Sequence, residues 1–461
     1  MSLTVATSVA RQALVAAQEE LALSGRNIAA AADPERSRVS AERTITIDGG
    51  VVITATRRAE DVAVYTRMIG ATAAFSERDA TLSHLTAMAG TVGDPQNGVS
   101  VAAKLSELND ALTGFANAPD DPLIGREVVE RARELAGTLE RTTDTLVRER
   151  ERADREMARG VEVVRDLLSE FSQVNKEVVR GTTQGRDITA VLDRRDAIVG
   201  ALNEQMGVNT IIRADGDMAL NLDSGVTLYD RGVRRIEFVP TAIFSATTAP
   251  GAVFVDGVRV TGAGAPMPLE GGAIAGHAQA RDTLLPVYKN QLDEIATALE
   301  AIFADGPGSL FVIGDPADPA GTLSIGAGVD PSQGGDVFAL RDGTGNPGGS
   351  AAFSTRLFGL IDAVEAPRTF AADAQLAQPT DLMDFASQSI SWLEGRRASV
   401  EEDVQRERAL FETASDALSR ATGVNLDDEF ALQLQIERNF AAASRLIGII
   451  DEVFESLLRI A

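Results

Sequence analysis

The chain has 461 residues, no cysteine and a net charge of −25. This length is enough for two or three domains with a sizeable core, and the lack of cysteine excludes disulfides and thiolate metal sites. The negative charge disfavours nucleic acid or an anionic membrane surface as a partner, because each would repel the protein. No apolar run reaches the roughly 20 residues that span a bilayer, and no basic segment followed by an apolar one opens the chain. We therefore expect no membrane insertion and no ordinary secretory signal.

The N-terminal 31 residues are predicted to form a helix whose apolar residues follow at spacings of three and four. This first seam consists of Ala10, Leu14, Ala17, Leu21, Ser24 and Ile28. The helix is expected to stop near Asp33-Pro34, because proline disfavours helix in the residue before it. Thr44–Ile47 and Val51–Thr54, separated by Asp48-Gly49-Gly50, then read as a hairpin.

Helices are predicted next for Glu60–Gly90, Val99–Asn117, Leu123–Gly181 and Ile188–Met206, with a break at Asp94-Pro95. The middle of the longest one, 148–159, is dense in alternating charge and poor in large apolar residues. Such a run is usually a solvated face, and a subunit contact made of ion pairs is the alternative.

From Val208 the apolar period changes from helical to alternating, which predicts short strands. They are Val208–Ile212, Met218–Leu222, Val226–Tyr229, Ile236–Val239 and the hairpin 254–260. Helices are predicted again for Ala278–Ala304, Ser354–Ala363 and Asp381–Ala421. Between them, 305–349 is rich in glycine and proline, with possible strands at Leu310–Ile313 and Val337–Leu340.

The last helix has a second seam with coiled-coil spacing, formed by Phe440, Ala443, Ile447, Ile450, Phe454 and Leu457. Asn425 is its N-cap candidate, and Asp427, Asp428 and Glu429 place negative charge where the helix dipole favours it. Since the helix would be marginal alone, we expect it to pair with the N-terminal seam.

No catalytic, cofactor or metal site is predicted. His84 and His277 lie far apart in the sequence and outside metal-binding spacings, so each is interpreted as a surface or satisfied histidine. The acidic residues 215, 217 and 223 lack the glycine and closing glutamate of a calcium loop, which favours turn chemistry. Gly343, Gly345 and Gly348 match G-x-G-x-x-G by chance, because no βαβ unit surrounds them.

Both ends of the chain resemble the signatures of bacterial flagellar axial proteins. At the start the similar residues are Gln18, Leu21 and Asn27-Ile28-Ala29. At the end they are Gly423-Val424-Asn425-Leu426-Asp427-Asp428-Glu429-Phe430, Phe440-Ala441-Ala442 and 451–458. Within the chain, Leu192-Asp193-Arg194-Arg195-Asp196 resembles the Leu-Asp-x-Arg-Asp helix of the hook-associated protein 1 family. From the residues alone, Arg195 and Asp196 are expected to tie their helix to its neighbours rather than to do chemistry.

This resemblance implies a mainly α protein with an inserted small β domain, paired terminal helices and a long helical core. The implied domains are a coiled coil of 1–35 and 424–461, a helical core of 36–206 and 270–423, and a β domain of 207–269. The segment 305–350 would replace the larger outer domain of relatives.

The implied function is that of a structural flagellar subunit between hook and filament, exported without a cleaved signal and located outside the cell. Its expected partners are copies of itself in a helical layer, the hook protein, the second hook-filament junction protein and an export chaperone bound to the C-terminal helix. The alternatives are another axial protein, or an enzyme with a site in 305–350.

Overall fold

The computed structural model describes residues 3–92, 98–346 and 350–460 and is mainly helical. The α-helices are α1 (Leu3–Ala30), α2 (Val62–Val92), α3 (Val101–Asn117), α4 (Pro122–Gln184), α5 (Thr189–Gln205), α6 (Ala273–Gln279), α7 (Leu285–Phe303), α8 (Pro319–Thr322), α9 (Phe338–Asp342), α10 (Thr355–Glu365), α11 (Leu382–Thr422) and α12 (Leu426–Ile460). None of the described helices is long and apolar enough to cross a membrane. The break predicted at Asp94-Pro95 and the glycine at 348 lie outside the described residues.

The strands are short and all pair antiparallel. They are β1 (Val39–Ile45), β2 (Val51–Arg58), β3 (Val208–Ile212), β4 (Met218–Leu222), β5 (Thr227–Tyr229), β6 (Ile236–Glu237), β7 (Phe254–Val255), β8 (Val258–Arg259), β9 (Phe311–Ile313) and β10 (Leu323–Ile325). Their sheets have the orders β1-β2, β3-β4-β5, β6-β7-β8 and β10-β9. A mainly helical chain with a small inserted β region is therefore confirmed.

Short polar side chains cap α12 and α3, and the sequence predicts the cap of α12. Asn425 is the N-cap of α12, because its Oδ1 accepts a hydrogen bond from the Asp427 amide at 3.0 Å. Ser100 caps α3 in the same way, through Oγ and the Ala103 amide at 3.2 Å. These caps satisfy amide groups that a helix cannot pair internally, so they determine where each helix starts.

The chain divides into two compact units, and the divisions fall inside α2, α4 and α11 and directly before β6. The first, here called the terminal unit, comprises Met1–Phe75, Val164–Arg235 and Glu407–Ala461. The second, the central unit, comprises Ser76–Val163 and Ile236–Arg406. The sheet β3-β4-β5 belongs to the terminal unit and the sheet β6-β7-β8 to the central unit, so the segment 207–269 contributes one sheet to each.

The core of the terminal unit lies where α4 and α5 cover the sheet β3-β4-β5. Val208 is opposite Leu222 in the register of β3 and β4. The ring of Phe171 on α4 meets Tyr229 edge to face, with 5.0 Å between centroids. Leu202 on α5 is also fully buried. This packing holds α5, which carries one of the predicted motifs.

The core of the central unit is formed by apolar faces of α3, α4 and α7, and it also includes the Gly-rich segment. Phe303 at the end of α7 packs edge to face on Phe311 of β9, with 5.4 Å between centroids. The predicted strand at Leu310–Ile313 is confirmed by β9. The predicted strand at Val337–Leu340 is wrong, since α9 begins there, with the Asp336 carboxylate accepting from the Phe338 amide at 3.0 Å.

The charged middle of α4 is only partly the solvated face that was predicted. Arg155 and Arg159 form exposed ion pairs within the helix, as a solvated face would. Arg150 and Asp154, however, are buried. Asp154 pairs with the buried Arg281, which lies in a π-helical turn between α6 and α7. Its other oxygen accepts from the amide of residue 241 at 2.7 Å, so this face of α4 anchors a loop of its own unit.

Candidate assembly surface

The terminal helices α1 and α12 pack along each other as an antiparallel pair. On α1 the most buried line of residues, Ala10, Ala17 and Ser24, repeats every seven positions, and Ile436, Ala443 and Ile450 do the same on α12. A repeat of seven keeps one helix face toward its partner, which is the geometry of a coiled coil. Small residues on α1 let the larger side chains of α12 approach closely.

One end of this pair is locked by a buried polar cluster. Glu429 is fully buried, and its Oε1 accepts from Asn27 Nδ2 at 3.2 Å and from Arg38 Nε at 2.7 Å. Asn27 also pairs with the backbone of Val39, donating to its oxygen at 2.9 Å and accepting from its amide at 3.0 Å. The cluster therefore ties α1, β1 and α12 together. The sequence indicated only a dipole role for Glu429, and nothing local to it predicts these partners.

A second apolar face of α12 remains uncovered. Leu446, Ile449, Val453 and Leu457 follow at spacings of three and four and are 40–60% exposed. Another exposed line, formed by Leu426, Phe430 and Leu434, begins the helix. Contiguous exposed apolar surface of this kind marks sites of protein association. Leu457 was assigned to the seam predicted to pair with α1, whereas Leu446, Ile449 and Val453 were not predicted, although their spacing alone is the signal.

Beside the pair lies a cleft of about 700 Å³ between α1, β2 and α12. Phe454 lines it together with residues of α1 such as Val15, and Val15 is itself exposed. The predicted seam residue Phe454 thus borders open space in the single chain instead of being fully covered by α1.

The predicted motif on α5 holds the hairpin β1-β2 in place. Arg58 of β2 lies between its two carboxylates, 3.2 Å from Asp193 Oδ1 and 2.7 Å from Asp196 Oδ2. The Tyr65 hydroxyl donates to the Asp196 carbonyl oxygen at 2.9 Å. Arg195 is buried and donates to the Gly216 carbonyl at 2.7 Å. These groups join α5 to its neighbours and leave no reactive arrangement among them.

The electrostatic balance at this motif is asymmetric. Burial raises the pKa of Asp196, and the attraction of Arg58 offsets only part of that effect. For Arg58, burial lowers the pKa, but the two carboxylates together outweigh it, so the pKa is raised overall. The cluster is therefore an ion pair held by burial and hydrogen bonds, of the kind that is costly to break on one side.

The two histidines meet in the central unit, although 193 positions separate them in the sequence. His84 Nδ1 is 3.0 Å from Glu149 Oε2, and His84 Nε2 is 3.0 Å from His277 Nδ1. With the carboxylate accepting from Nδ1, His84 presents a lone pair to which His277 Nδ1 donates. Burial is the largest cause that lowers the pKa of His277 to about 3, and repulsion from Arg152 and Arg159 adds to it. The prediction of satisfied histidines agrees with this, but the sequence does not reveal that they are partners.

The predicted seam and motif residues differ in their solvent exposure. Those that are buried are Ala17, Asn27, Asp193, Arg195, Glu429, Ala443 and Ile450. Those of intermediate exposure are Leu14, Ile28, Leu192, Asp196 and Ile447. Those that are exposed are Leu21, Asn425, Leu426, Asp427, Asp428, Phe430, Phe440, Phe454 and Leu457. No group of three or more metal-ligating side chains occurs in the described part of the chain.

Comparison with known proteins shows similarity to flagellar hook-associated proteins. The sequence model described as the helical domain of flagellar hook-associated protein FlgK matches residues 85–305. Flagellar hook-associated protein 1 of Escherichia coli (strain K12) is 22% identical over 253 residues, which are 50% of this chain and 45% of that protein. The flagellar hook junction protein FlgK from Burkholderia pseudomallei aligns with a TM-score of 0.45 and 20% identity, over 54% of this chain and 47% of its own. The chain spans about half the length of these relatives.

Proposed function

We propose, from its similarity to the FlgK family of flagellar hook-associated proteins, that this protein is a structural subunit of the junction between flagellar hook and filament. The observation that carries the proposal is the uncovered apolar face of α12 beside the α1 pairing. A single chain leaves that face in water, and burying each of its large side chains against neighbours contributes about 1.5–3 kcal/mol. Its role is mechanical and involves no enzymatic step.

The partners follow from this role. Copies of the chain form a helical layer through the terminal helices, with the hook protein on one side and the second hook-filament junction protein on the other. Before assembly, an export chaperone covers the apolar face of α12, which supports passage to the outside of the cell without a cleaved signal peptide. Heterologous contacts between identical copies give such an open helical arrangement when the rotation does not close.

The proposal is tested in the bacterium that encodes the protein, after removal of its own gene. The full chain should restore motility and should be found in purified hooks and filaments. A chain that ends before Gly423 should keep its central unit folded and fail to incorporate. If the truncated chain still joined hook to filament, the assembly role of α12 would be wrong.

A finer version replaces Ile447 and Phe454 together by aspartate. The substitutions remove apolar side chains from the face that points to α1 and to the cleft and place charge there instead, so we expect incorporation to fall about tenfold or more. The matched control introduces the same two charges at Ser444 and Gly448, which are exposed. The control should retain motility, and equal loss in both variants would show that charge alone, rather than the seam, is responsible.

A further inference from the structure

The terminal unit contains a second, separate depression, here called the acidic groove. It has a volume of about 510 Å³ and lies among α2, α5, α11 and the strand β3. Ala197, Gly200 and Ala201 on α5 are too small to fill the space between the helices. Met68 and Phe411 supply apolar walls. The groove is therefore wide enough to receive a turn of another polypeptide with one apolar side chain at its centre.

The charge of the acidic groove is one-sided. Six of its lining residues are acidic, namely Glu35, Glu60, Asp61, Asp193, Asp196 and Glu204. Arg58 is the single basic residue that lines it, and it is occupied by Asp193 and Asp196. Within the described residues, neither Glu35 nor Glu204 forms an ion pair. A groove with this excess of carboxylates attracts a cationic segment and repels most of a protein whose net charge is −25.

The terminal unit also presents a basic segment of matching character, residues 231–235, here called the basic loop. Arg231, Arg234 and Arg235 are exposed in it, and Val233 is 45% exposed between them. Its conformation is defined before any binding, because the Arg234 amide donates to the Leu228 oxygen at 2.8 Å. Asp230, at its base, is held by Arg213 at 2.7 Å. A turn ordered in advance loses little conformational entropy on binding.

We propose that the acidic groove of one copy receives the basic loop of a neighbouring copy. Val233 then contacts the apolar walls near Phe411, and the arginines pair with Glu204 and the other acidic groups at the rim. The inference rests on the proposed function, because it names a contact between copies in the junction. Groove and loop are different surfaces of one chain, so pairing them links each copy to the next in a series.

The absence of native cysteine makes a cross-linking test direct. Two differently tagged copies, one carrying Val233→Cys and the other Ser415→Cys in the groove wall, are expressed together in the strain that lacks the gene. Hooks and filaments are then purified and oxidised with copper phenanthroline. We expect a disulfide joining the two tags. The control pairs Val233→Cys with Thr183→Cys, which is exposed and outside the groove lining, and should give none.

Charge reversal gives a second, independent readout. Glu204→Arg and Arg234→Glu should each lower the number of copies retained per hook about tenfold, and the double variant should recover most of that loss. Purified variants with unchanged circular dichroism and melting temperature establish that folding is intact. Additive losses in the double variant, or no cross-link in hooks that contain both tagged copies, would overturn the inference and leave the proposed function standing. Absence of the wild-type chain from hooks would overturn both.

Discussion

At the scale of single residues, His277 illustrates how burial produces a measurable pH dependence. Its imidazole donates to His84, which is hydrogen-bonded to Glu149, while Arg152 and Arg159 lie near enough to repel a positive charge. The folded protein therefore keeps His277 neutral down to about pH 3, whereas the unfolded chain takes up a proton near 6.5. The folded state is the one that binds fewer protons between these values.

We expect this histidine to stabilise the central unit fully above about pH 6.5 and to lose that contribution as the pH falls toward 3. Below 6.5 the slope due to this group is at most about 1.4 kcal/mol per pH unit. Urea unfolding followed by the fluorescence of Trp392, the single tryptophan, gives the free energy of unfolding at pH 7, 6 and 5. His277→Gln should show a flatter profile than the wild type over this range. Parallel profiles for the two proteins would contradict the role of burial at this site.

Single residues also show which contacts can be predicted from the sequence and which cannot. The Asn425 cap was predictable, because the cap lies one position before the helix it starts. The burial of Glu429 was not, since its partners Asn27 and Arg38 lie about 400 positions away in the chain. Asp154 is the same case on α4, because its partner Arg281 lies 127 positions away, whereas Arg155 and Arg159 beside it form exposed pairs within the helix.

At the scale of elements, two glycines predict opposite effects of the same substitution. Gly276 on α6 lies so close to α2 that an added Cβ would be 2.1 Å from the Glu77 oxygen and 2.9 Å from the Ala80 Cβ. Gly359 on α10 has nothing within 4 Å of such a Cβ. Gly276→Ala should therefore destabilise the central unit by about 1–3 kcal/mol through overpacking.

Gly359→Ala serves as the matched control and should stabilise by about 0.5–1 kcal/mol, because alanine favours a helix interior. Both free energies are obtained from urea unfolding with Trp392 as the probe. A Gly276→Ala protein as stable as the control would mean that α2 and α6 can separate at no cost.

Long helices with a repeated apolar spacing were predictable from the sequence, whereas short elements were ambiguous. Apolar spacing predicted α2, α3, α4, α5, α7, α11 and α12, a polar cap was predicted only for α12, and alternation predicted the strands of the β segment. At Val337–Leu340 the predicted strand is a helix, because four mostly apolar residues carry no period that separates the two. Asp336, whose carboxylate accepts from the Phe338 amide, was the available signal for a helix start. The spacing of the second apolar face of α12 is also visible in the sequence, but only the structure shows that α1 does not cover this face.

At the scale of the whole molecule, the terminal helices are expected to be the least protected long helices. Much of α12 faces water with apolar side chains, whereas α4 is buried over many of its turns. Regions with few buried contacts open at low free energy. In hydrogen exchange on the dilute protein, α1 and α12 should therefore exchange well before α4. Equal protection of all three helices would show that the pair is complete without neighbours.

Within the pair, exchange should be slowest next to Asn27 and Glu429. Glu429→Ala removes the acceptor shared by Asn27 and Arg38, so it should abolish this local protection, at a cost of about 1–3 kcal/mol for the buried Asn27 donor, since Arg38 is partly exposed and can be hydrated. Asp428→Ala is the control, since Asp428 is exposed one position earlier. If both variants kept the slow exchange, the polar cluster would not be what holds the end of the pair.

The position of that cluster gives the helix pair a direction. At one end of the pair, Asn27 on α1 is hydrogen-bonded to Glu429 on α12, and towards the other end Phe454 borders an open cleft. We expect the pairing of α1 and α12 to proceed from the Asn27–Glu429 end toward the Phe454 end, when the apolar surfaces of neighbouring copies make contact. Each copy added to a growing helical wall would then become ordered first near Asn27 and Glu429 and last near Phe454.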